Sequence, residues 1–213
     1  MSFEIVCFDC DSTLSKIEGI DECAKWVGLG EQMAQLTEAA MNGELALEAV
    51  YAKRLQLIRP DKAAISRLAD LYLAEIVTGV AEVFATLQQQ GKQIHIISGG
   101  LRQAILPLAA FLNVPESQVH AVDIFFNQDG SYQNFQEDCP LAKTGGKALI
   151  CQQISAHPET MVLIGDGKTD LEAQAVGVKV IGFGGVVKRN IVAEQADFYV
   201  DEPTLLGVLR YIL

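Results

Sequence analysis

The chain has little of what marks several whole classes of protein: one tryptophan, three histidines and five cysteines in 213 residues. With three histidines and no HExxH spacing there is no metalloprotease-type zinc site, and His95, inside QIHIIS, reads as a strand residue rather than a ligand. The odd number of irregularly spaced cysteines does not make a disulfide framework and fits a reducing compartment. Cys7 and Cys10 form one CxxC. At the end of an apolar strand, an offset of three puts them on opposite faces, and no second CxxC completes a zinc site. Positive charge is scarce as well, with 16 Lys and Arg against 27 Asp and Glu and a net charge of -11. Phosphate backbones attract clustered cations and are repelled by carboxylates, which argues against a nucleic-acid binder but leaves small anions open to local basic groups. No apolar run approaches the roughly 18 residues that span a bilayer, and MSFEIVCFDCDST lacks a basic segment followed by an apolar signal region. The expectation is a cytoplasmic protein with neither a membrane nor a nucleic-acid partner.

What is present is an alternation. Phe3 to Phe8, Gln93 to Ile97, Met161 to Ile164 and Lys179 to Ile181 are short apolar runs of the kind that form buried parallel strands. Between them lie helical patterns over Val80 to Gln90, Leu101 to Leu112, Gly146 to Ile154 and Asp170 to Val176, two of them stopped by Gly91 and Gly177. Strand and helix in alternation predict a doubly wound parallel α/β core. Residues 15–75 break the alternation, being rich in Ala, Leu, Glu and Gln at helical spacing, and predict a helical insertion. Gly28, Gly30 and Gly43 mark its breaks and Asp61 caps its last helix. Val119 to Phe126, a Gln128-Asp129-Gly130 turn and Tyr132 to Phe135 predict a β-hairpin near 119–136. The expected units are thus a core of residues 1–14 and 76–213, and an inserted domain of residues 15–75.

Chemistry concentrates at the strand ends, where open α/β sheets bind ligands. Asp9 and Asp11 follow the first strand and project to the same side of an extended backbone. They repel each other unless a divalent cation, a lysine or a proton intervenes, and phosphoryl transfer can use all three. Taken alone the pair also fits a solvated acidic turn. It is not an EF-hand, since Leu14 and Ile20 stand where that loop needs Gly and Glu. Ser98-Gly99-Gly100 offers a hydroxyl and free backbone N–H groups before a helix, a place for an anion. Gly145-Gly146-Lys147 and Gly167-Lys168-Thr169 both fail as P-loops, for want of the leading glycine. Gly165-Asp166-Gly167-Lys168-Thr169-Asp170 puts two more carboxylates at a strand end and fails as a dinucleotide fingerprint, because Asp170 replaces the third glycine.

In this order the motifs resemble those of the haloacid dehalogenase superfamily, whose phosphatases carry DxDxT, then Ser or Thr, then Lys, then an acidic GDxxxD-like motif. Here these are Asp9/Asp11/Thr13, Ser98, Lys147 and Asp166/Asp170. DSTLSKIEGIDECAKWVG, SGGLRQ, GGKALI, IGDGKTD and GFGGVVKRN extend the resemblance to the phosphoserine phosphatase family over nearly the full chain. It implies a Rossmann-like catalytic core with the insertion as a helical cap, and Mg2+ held by Asp9, the backbone carbonyl of Asp11 and Asp166. Asp9 would attack phosphorus to give an aspartyl-phosphate, and Asp11, protonated at first, would serve the leaving alkoxide and then the water. Ser12, Thr13, Ser98 and Lys147 would bind phosphate, with Gly99, Gly100 and Thr169 beside the substrate and Asp170 in support. Glu18 would pair with a substrate ammonium and Arg54 would grip a carboxylate through two parallel hydrogen bonds. The implied substrate is a small phosphate ester, foremost O-phosphoserine. The alternatives are another small ester, transfer of the phosphoryl group to another alcohol, or a receiver-like signalling domain. Leu47, Leu101 and Val122 depart from the family pattern near the expected pocket.

Overall fold

The computed structural model describes residues 3–42 and 44–213, so Gly43 lies outside the described residues. In chain order the strands are β1 (Ile5–Phe8), β2 (Gln93–Leu101), β3 (Val119–Val122), β4 (Ile124–Phe126), β5 (Tyr132–Phe135), β6 (Met161–Gly165), β7 (Lys179–Phe183) and β8 (Phe198–Val200). The α-helices are α1 (Gly19–Trp26), α2 (Gly30–Met41), α3 (Leu47–Ile58), α4 (Lys62–Ala74), α5 (Val80–Gln89), α6 (Arg102–Phe111), α7 (Gly146–Ile154), α8 (Lys168–Leu171), α9 (Asn190–Gln195) and α10 (Leu209–Ile212). None of them is long and apolar enough to cross a membrane.

Six strands pair in the order β3-β2-β1-β6-β7-β8, all parallel. This is the doubly wound α/β sheet. β1 and β6 are buried at every residue because both faces of the sheet are covered, which is why each reads as an unbroken apolar run. Beneath β1, the Phe8 ring lies 4.7 Å from Phe84 of α5. β1 sits between β2 and β6, with Phe8 paired to Ile96 and Ile164. The register therefore brings the residues that follow these three strands to one end of the sheet.

The local expectations hold for most elements and shift at four. β2 runs on to Leu101, taking in Ser98-Gly99-Gly100 with a register irregularity between Ile97 and Leu101, so α6 starts one residue later than its sequence pattern. Val119–Val122 joins the main sheet as β3, and the hairpin is confined to β4 and β5. Val119, Ala121 and Val122 are buried, and the edge of a covered parallel sheet removes more apolar surface from water than a two-stranded ribbon does. Downstream of Asp166 the expected helix is a short α8 continued by a 3₁₀ segment over Glu172–Val176, ending at the left-handed Gly177. β8, three residues at the sheet edge, has no clear apolar run in the sequence.

Helices α1 to α4 stand between β1 and α5. The two connections of this insertion are tied to each other, Lys16 N donating to Glu75 O at 2.8 Å and Val77 N to Leu14 O at 2.9 Å. Asp61 caps α4 by accepting from Ala64 N at 2.7 Å. The insertion also reaches the carboxyl end of the sheet. Tyr51 Oη of α3 donates to Gly99 O at 2.8 Å, and Glu48 Oε2 accepts from Thr144 N and Oγ1 at 2.9 and 2.8 Å.

Candidate active site

Asp9 follows β1 and its carboxylate is held at both oxygens. Oδ1 accepts from Cys10 N at 2.7 Å, and Oδ2 lies 2.8 Å from Lys147 Nζ. Lys147, in the first turn of α7, also reaches Asp170 Oδ1 at 2.6 Å. Burial alone would push this ammonium down, but the Asp170 and Asp9 carboxylates outweigh it and hold it above its ordinary value. Asp170 in turn accepts from Gly167 N at 2.9 Å. Its carboxyl fills the place of a side chain on Gly165, where a Cβ would stand 2.0 Å from Asp170 Cγ, so the GDGxxD run requires a bare residue at that strand end. Burial raises the Asp170 carboxyl to about 6, Lys147 opposing the rise.

Asp11 lies two residues on. Tyr72 Oη donates to its Oδ1 at 2.5 Å and Gly19 N to its Oδ2 at 3.0 Å. Burial lifts its carboxyl to about 7, with the Asp9 and Asp166 charges adding to the rise and the two hydrogen bonds opposing it. Protonated Asp11 is therefore accessible near neutral pH, as a proton donor requires. Glu18 accepts from Ser12 Oγ at 2.7 Å and is lifted to about 8, by burial first and then by the Asp11 charge. This carboxyl is half-buried, and a cation beside it would favour its charged form.

Ser12 and Thr13 are placed differently from the phosphate-binding role that the sequence resemblance implies. Both are buried, the Ser12 hydroxyl is committed to Glu18, and the Thr13 hydroxyl donates to Asp166 Oδ1 at 3.3 Å. Neither borders the cleft. Ser98, which does border it, turns its hydroxyl toward Gly100 N at 3.0 Å.

Asp9, Asp11, Glu18, Arg54, Lys147 and Asp166 all face one cleft of about 610 Å³, counting the part open to solvent, with residues 98–100 and Thr169 in its walls. Leu47 borders it too, whereas Leu101 and Val122 are fully buried in the core and do not. Arg54 is buried on the insertion side. Its Nη2 donates to Asp21 Oδ1 at 2.9 Å and to Thr37 Oγ1 at 2.7 Å. Every two-pronged edge of a guanidinium includes this nitrogen, so the two parallel hydrogen bonds expected of Arg54 are not open in this arrangement.

The haloacid dehalogenase-like hydrolase family matches residues 3–176. The chain belongs to this family. It is 37% identical to the phosphoserine phosphatases of Bos taurus and of Homo sapiens over 212 residues, covering 98% of this chain and 94% of each relative. A solved phospho-aspartyl intermediate analogue of phosphoserine phosphatase superimposes with a TM-score of 0.84 at 26% identity, over the full length of both chains. This haloacid dehalogenase-like hydrolase is thus a phosphoric monoester hydrolase with an aspartate-based mechanism.

Phosphatases of this family generally use a divalent metal, and the carboxylates here fit one. Asp9, Asp166 and Asp170 each offer an oxygen within 4.8 Å of the others, and oxygen donors of this kind suit a hard cation. At Asp166, burial, followed by the Glu18, Asp9 and Asp170 charges, drives the carboxyl well above the ordinary range, with Arg189 opposing the rise. The Asp11 side chain lies outside the trio, and each of the three carboxylates has a cationic side chain beside it, Lys147 at Asp9 and Asp170 and Arg189 at Asp166.

Arg189 is the hydrolase residue most plainly missed from the sequence. Buried in the turn after β7, it sends Nε to Asp166 Oδ2 at 3.2 Å and Nη1 to Glu38 of α2 at 2.7 Å, with Nη2 3.8 Å from Glu18. It thereby ties the insertion to the acidic end of the sheet. The strand-end rule that singled out Asp9 and Asp166 applies equally to β7, and following it to GFGGVVKRN would have found this cation. Tyr72, Asp21 and Thr37 had no such signal.

Proposed function

We propose that the chain hydrolyses O-phosphoserine to serine and inorganic phosphate, with Mg2+ as its metal and the α1–α4 insertion as a cap over the cleft. The observation that carries the reading is that a single cleft holds both phosphoryl-transfer carboxylates and two groups matched to an amino acid, the half-buried Glu18 and the buried Arg54. Asp9 and Asp11 lie on one wall, and Glu18 and Arg54 offer a carboxyl for an ammonium and a guanidinium for a carboxylate.

In the first half-reaction an Asp9 carboxylate oxygen attacks phosphorus and the bond from phosphorus to the seryl oxygen breaks. Asp11 passes its proton to the departing alkoxide, so that serine leaves neutralised at that oxygen. In the second, Asp11 takes a proton from water as the water attacks the aspartyl-phosphate, freeing phosphate and restoring the Asp9 carboxylate. Lys147, fixed between Asp9 and Asp170, keeps the nucleophile oriented and faces the phosphoryl oxygens with positive charge. The backbone around Ser98–Gly100 lies beside those oxygens as a source of N–H donors. Mg2+ bound by Asp9, Asp166 and the Asp11 carbonyl would supply further positive charge to the transferring group.

The test is phosphate release with magnesium over a panel of small esters that includes both phosphoserine enantiomers, phosphothreonine, phosphoethanolamine and glycerol phosphate. A clear preference for phosphoserine supports the reading. A higher kcat/KM for an ester lacking either the ammonium or the carboxylate would overturn the substrate assignment.

A further inference from the structure

Three buried side chains from three helices close a hydrogen-bonded triangle at the substrate end of the insertion. Arg54 Nη2 of α3 donates to Asp21 of α1 and to Thr37 of α2, and the Thr37 hydroxyl donates to the same Asp21 oxygen at 2.7 Å. All three residues are at least 95% buried. Thr37 and Arg54 border the cleft and Asp21 does not.

The donors left over on Arg54 are the informative part. Nη2 has two hydrogens and two acceptors, both supplied by the protein. Nε is buried and has no partner among the described residues. A guanidinium N–H buried without an acceptor is costly, and the cost is removed when a ligand brings one. An arginine held only by its aliphatic stem would lose several rotamers on meeting that ligand, and a guanidinium already fixed in plane and direction does not.

We propose that Asp21 and Thr37 are positioning residues for Arg54: they hold the guanidinium by Nη2 in one plane, so that its remaining N–H groups are directed to the carboxylate of an amino-acid phosphate, and so determine specificity through Arg54. The inference rests on the reading of Arg54 as the carboxylate contact. It differs from a plain structural role in what it spares. Phosphorus and the leaving oxygen meet other groups, so loosening Arg54 should weaken capture of the carboxylate and leave the chemical step alone.

The experiment compares phosphoserine with phosphoethanolamine, which keeps the phosphate and ammonium but has no carboxylate, in Asp21→Asn, Thr37→Val, Thr37→Ser, Arg54→Ala and the Asp21→Asn/Arg54→Ala double variant. Asp21→Asn and Thr37→Val are each expected to raise KM for phosphoserine about tenfold with kcat within about twofold, the signature of lost ground-state capture. Phosphoethanolamine kinetics should be unchanged, and Thr37→Ser, which keeps the hydroxyl, should behave as wild type. Asp21→Asn should add nothing once Arg54 is alanine. Equal losses on both substrates, or a full Asp21→Asn effect in the Arg54→Ala background, would overturn the positioning role while leaving Arg54 itself selective. Equal losses on both substrates from Arg54→Ala would instead remove the carboxylate reading and the proposal with it. Should Asp21→Asn fail to fold, the contrast between Thr37→Val and Thr37→Ser decides the matter.

Discussion

The hydroxyl of Tyr72 donates to Asp11 Oδ1 at 2.5 Å across a space that exists because residue 19 is glycine: a Cβ there would stand 2.1 Å from the same hydroxyl. Burial keeps the phenol protonated, so it is the donor of the pair. With Gly19 N on the other oxygen, Asp11 is held in one orientation from both sides. Tyr72→Phe removes one of these restraints and nothing that touches phosphorus. It is expected to lower kcat on phosphoserine about tenfold, the equivalent of one lost hydrogen bond of about 1.4 kcal/mol to a charged or proton-donating group. With p-nitrophenyl phosphate, whose leaving group needs no proton, the burst of nitrophenol release that reports the first half-reaction should stay near the wild-type rate, while the later hydrolysis of the aspartyl-phosphate, which also uses Asp11, slows. A burst on that ester slowed as much as the phosphoserine reaction would show that Tyr72 supports the fold and not the orientation of Asp11.

Asp9 is the carboxylate at the end of the central strand, with one oxygen on a backbone N–H and the other on Lys147. Asp9→Asn keeps the size and removes the nucleophile, so turnover should fall by roughly 10³-fold or more. The hydroxylamine-sensitive phosphoenzyme expected of an aspartyl-phosphate should vanish with it. Trapping that species in the variant, with turnover near wild type, would place the nucleophile elsewhere.

How much of this was legible in the sequence depended on whether a residue announced its partner. Asp9, Asp11, Lys147 and Asp166 stand beside apolar runs whose length and composition mark buried strands, and the ends of such strands converge in any sheet of this class. The sequence pattern extends the β-hairpin back to Val119 because Val119–Val122 and Ile124–Phe126 are alike in composition, with Asp123 alone between them to signal a change of sheet. Tyr72, Asp21 and Thr37 lie on amphipathic helices, where a polar residue facing inward cannot be told from one facing water until the helices pack. Tyr72 meets its partner 61 positions away and Arg189 reaches Glu38 over 151, separations at which no local pattern survives. The departures at Leu101 and Val122, placed near the pocket from sequence, are core positions because β2 and β3 carry them under the sheet end.

The carboxylates around Asp166 predict the response to metal. Exhaustive chelation should abolish phosphate release and magnesium should restore it, with calcium a poor substitute because its larger and looser coordination shell misplaces the attacking carboxylate. Asp166→Asn removes one carboxylate of the trio, so the magnesium concentration for half-maximal activity should rise at least tenfold, roughly one charge-assisted contact. Full activity in metal-free enzyme would rule out this use of the trio.

Outside the lining of the cleft, His95 of β2 and His120 of β3 predict an acid limit on stability. His95 Nδ1 lies 3.0 Å from His120 Nε2, and Gln93 Nε2 lies 2.8 Å from His95 Nε2. Since an amide NH₂ is only a donor, His95 accepts at Nε2 and donates at Nδ1, which is the neutral ring with both nitrogens engaged. A second proton has no place without breaking the contact to Gln93. Burial, then the neighbouring His120, lowers the His95 ring from 6.5 to about 4. The unfolded chain therefore binds a proton at this residue between pH 6.5 and 4 while the folded one does not, so stability is full above the upper value and falls as the pH drops through that window. At pH 5 the loss from His95 should be on the order of 2 kcal/mol relative to pH 7.5. Urea unfolding of wild type and His95→Asn at both pH values isolates the contribution from that of the carboxylates, which the two proteins share. The variant should lose less stability on acidification by about that amount. An identical loss in both proteins would mean that the histidine pair takes up its proton in the folded state, and that the acid limit lies among the buried carboxylates.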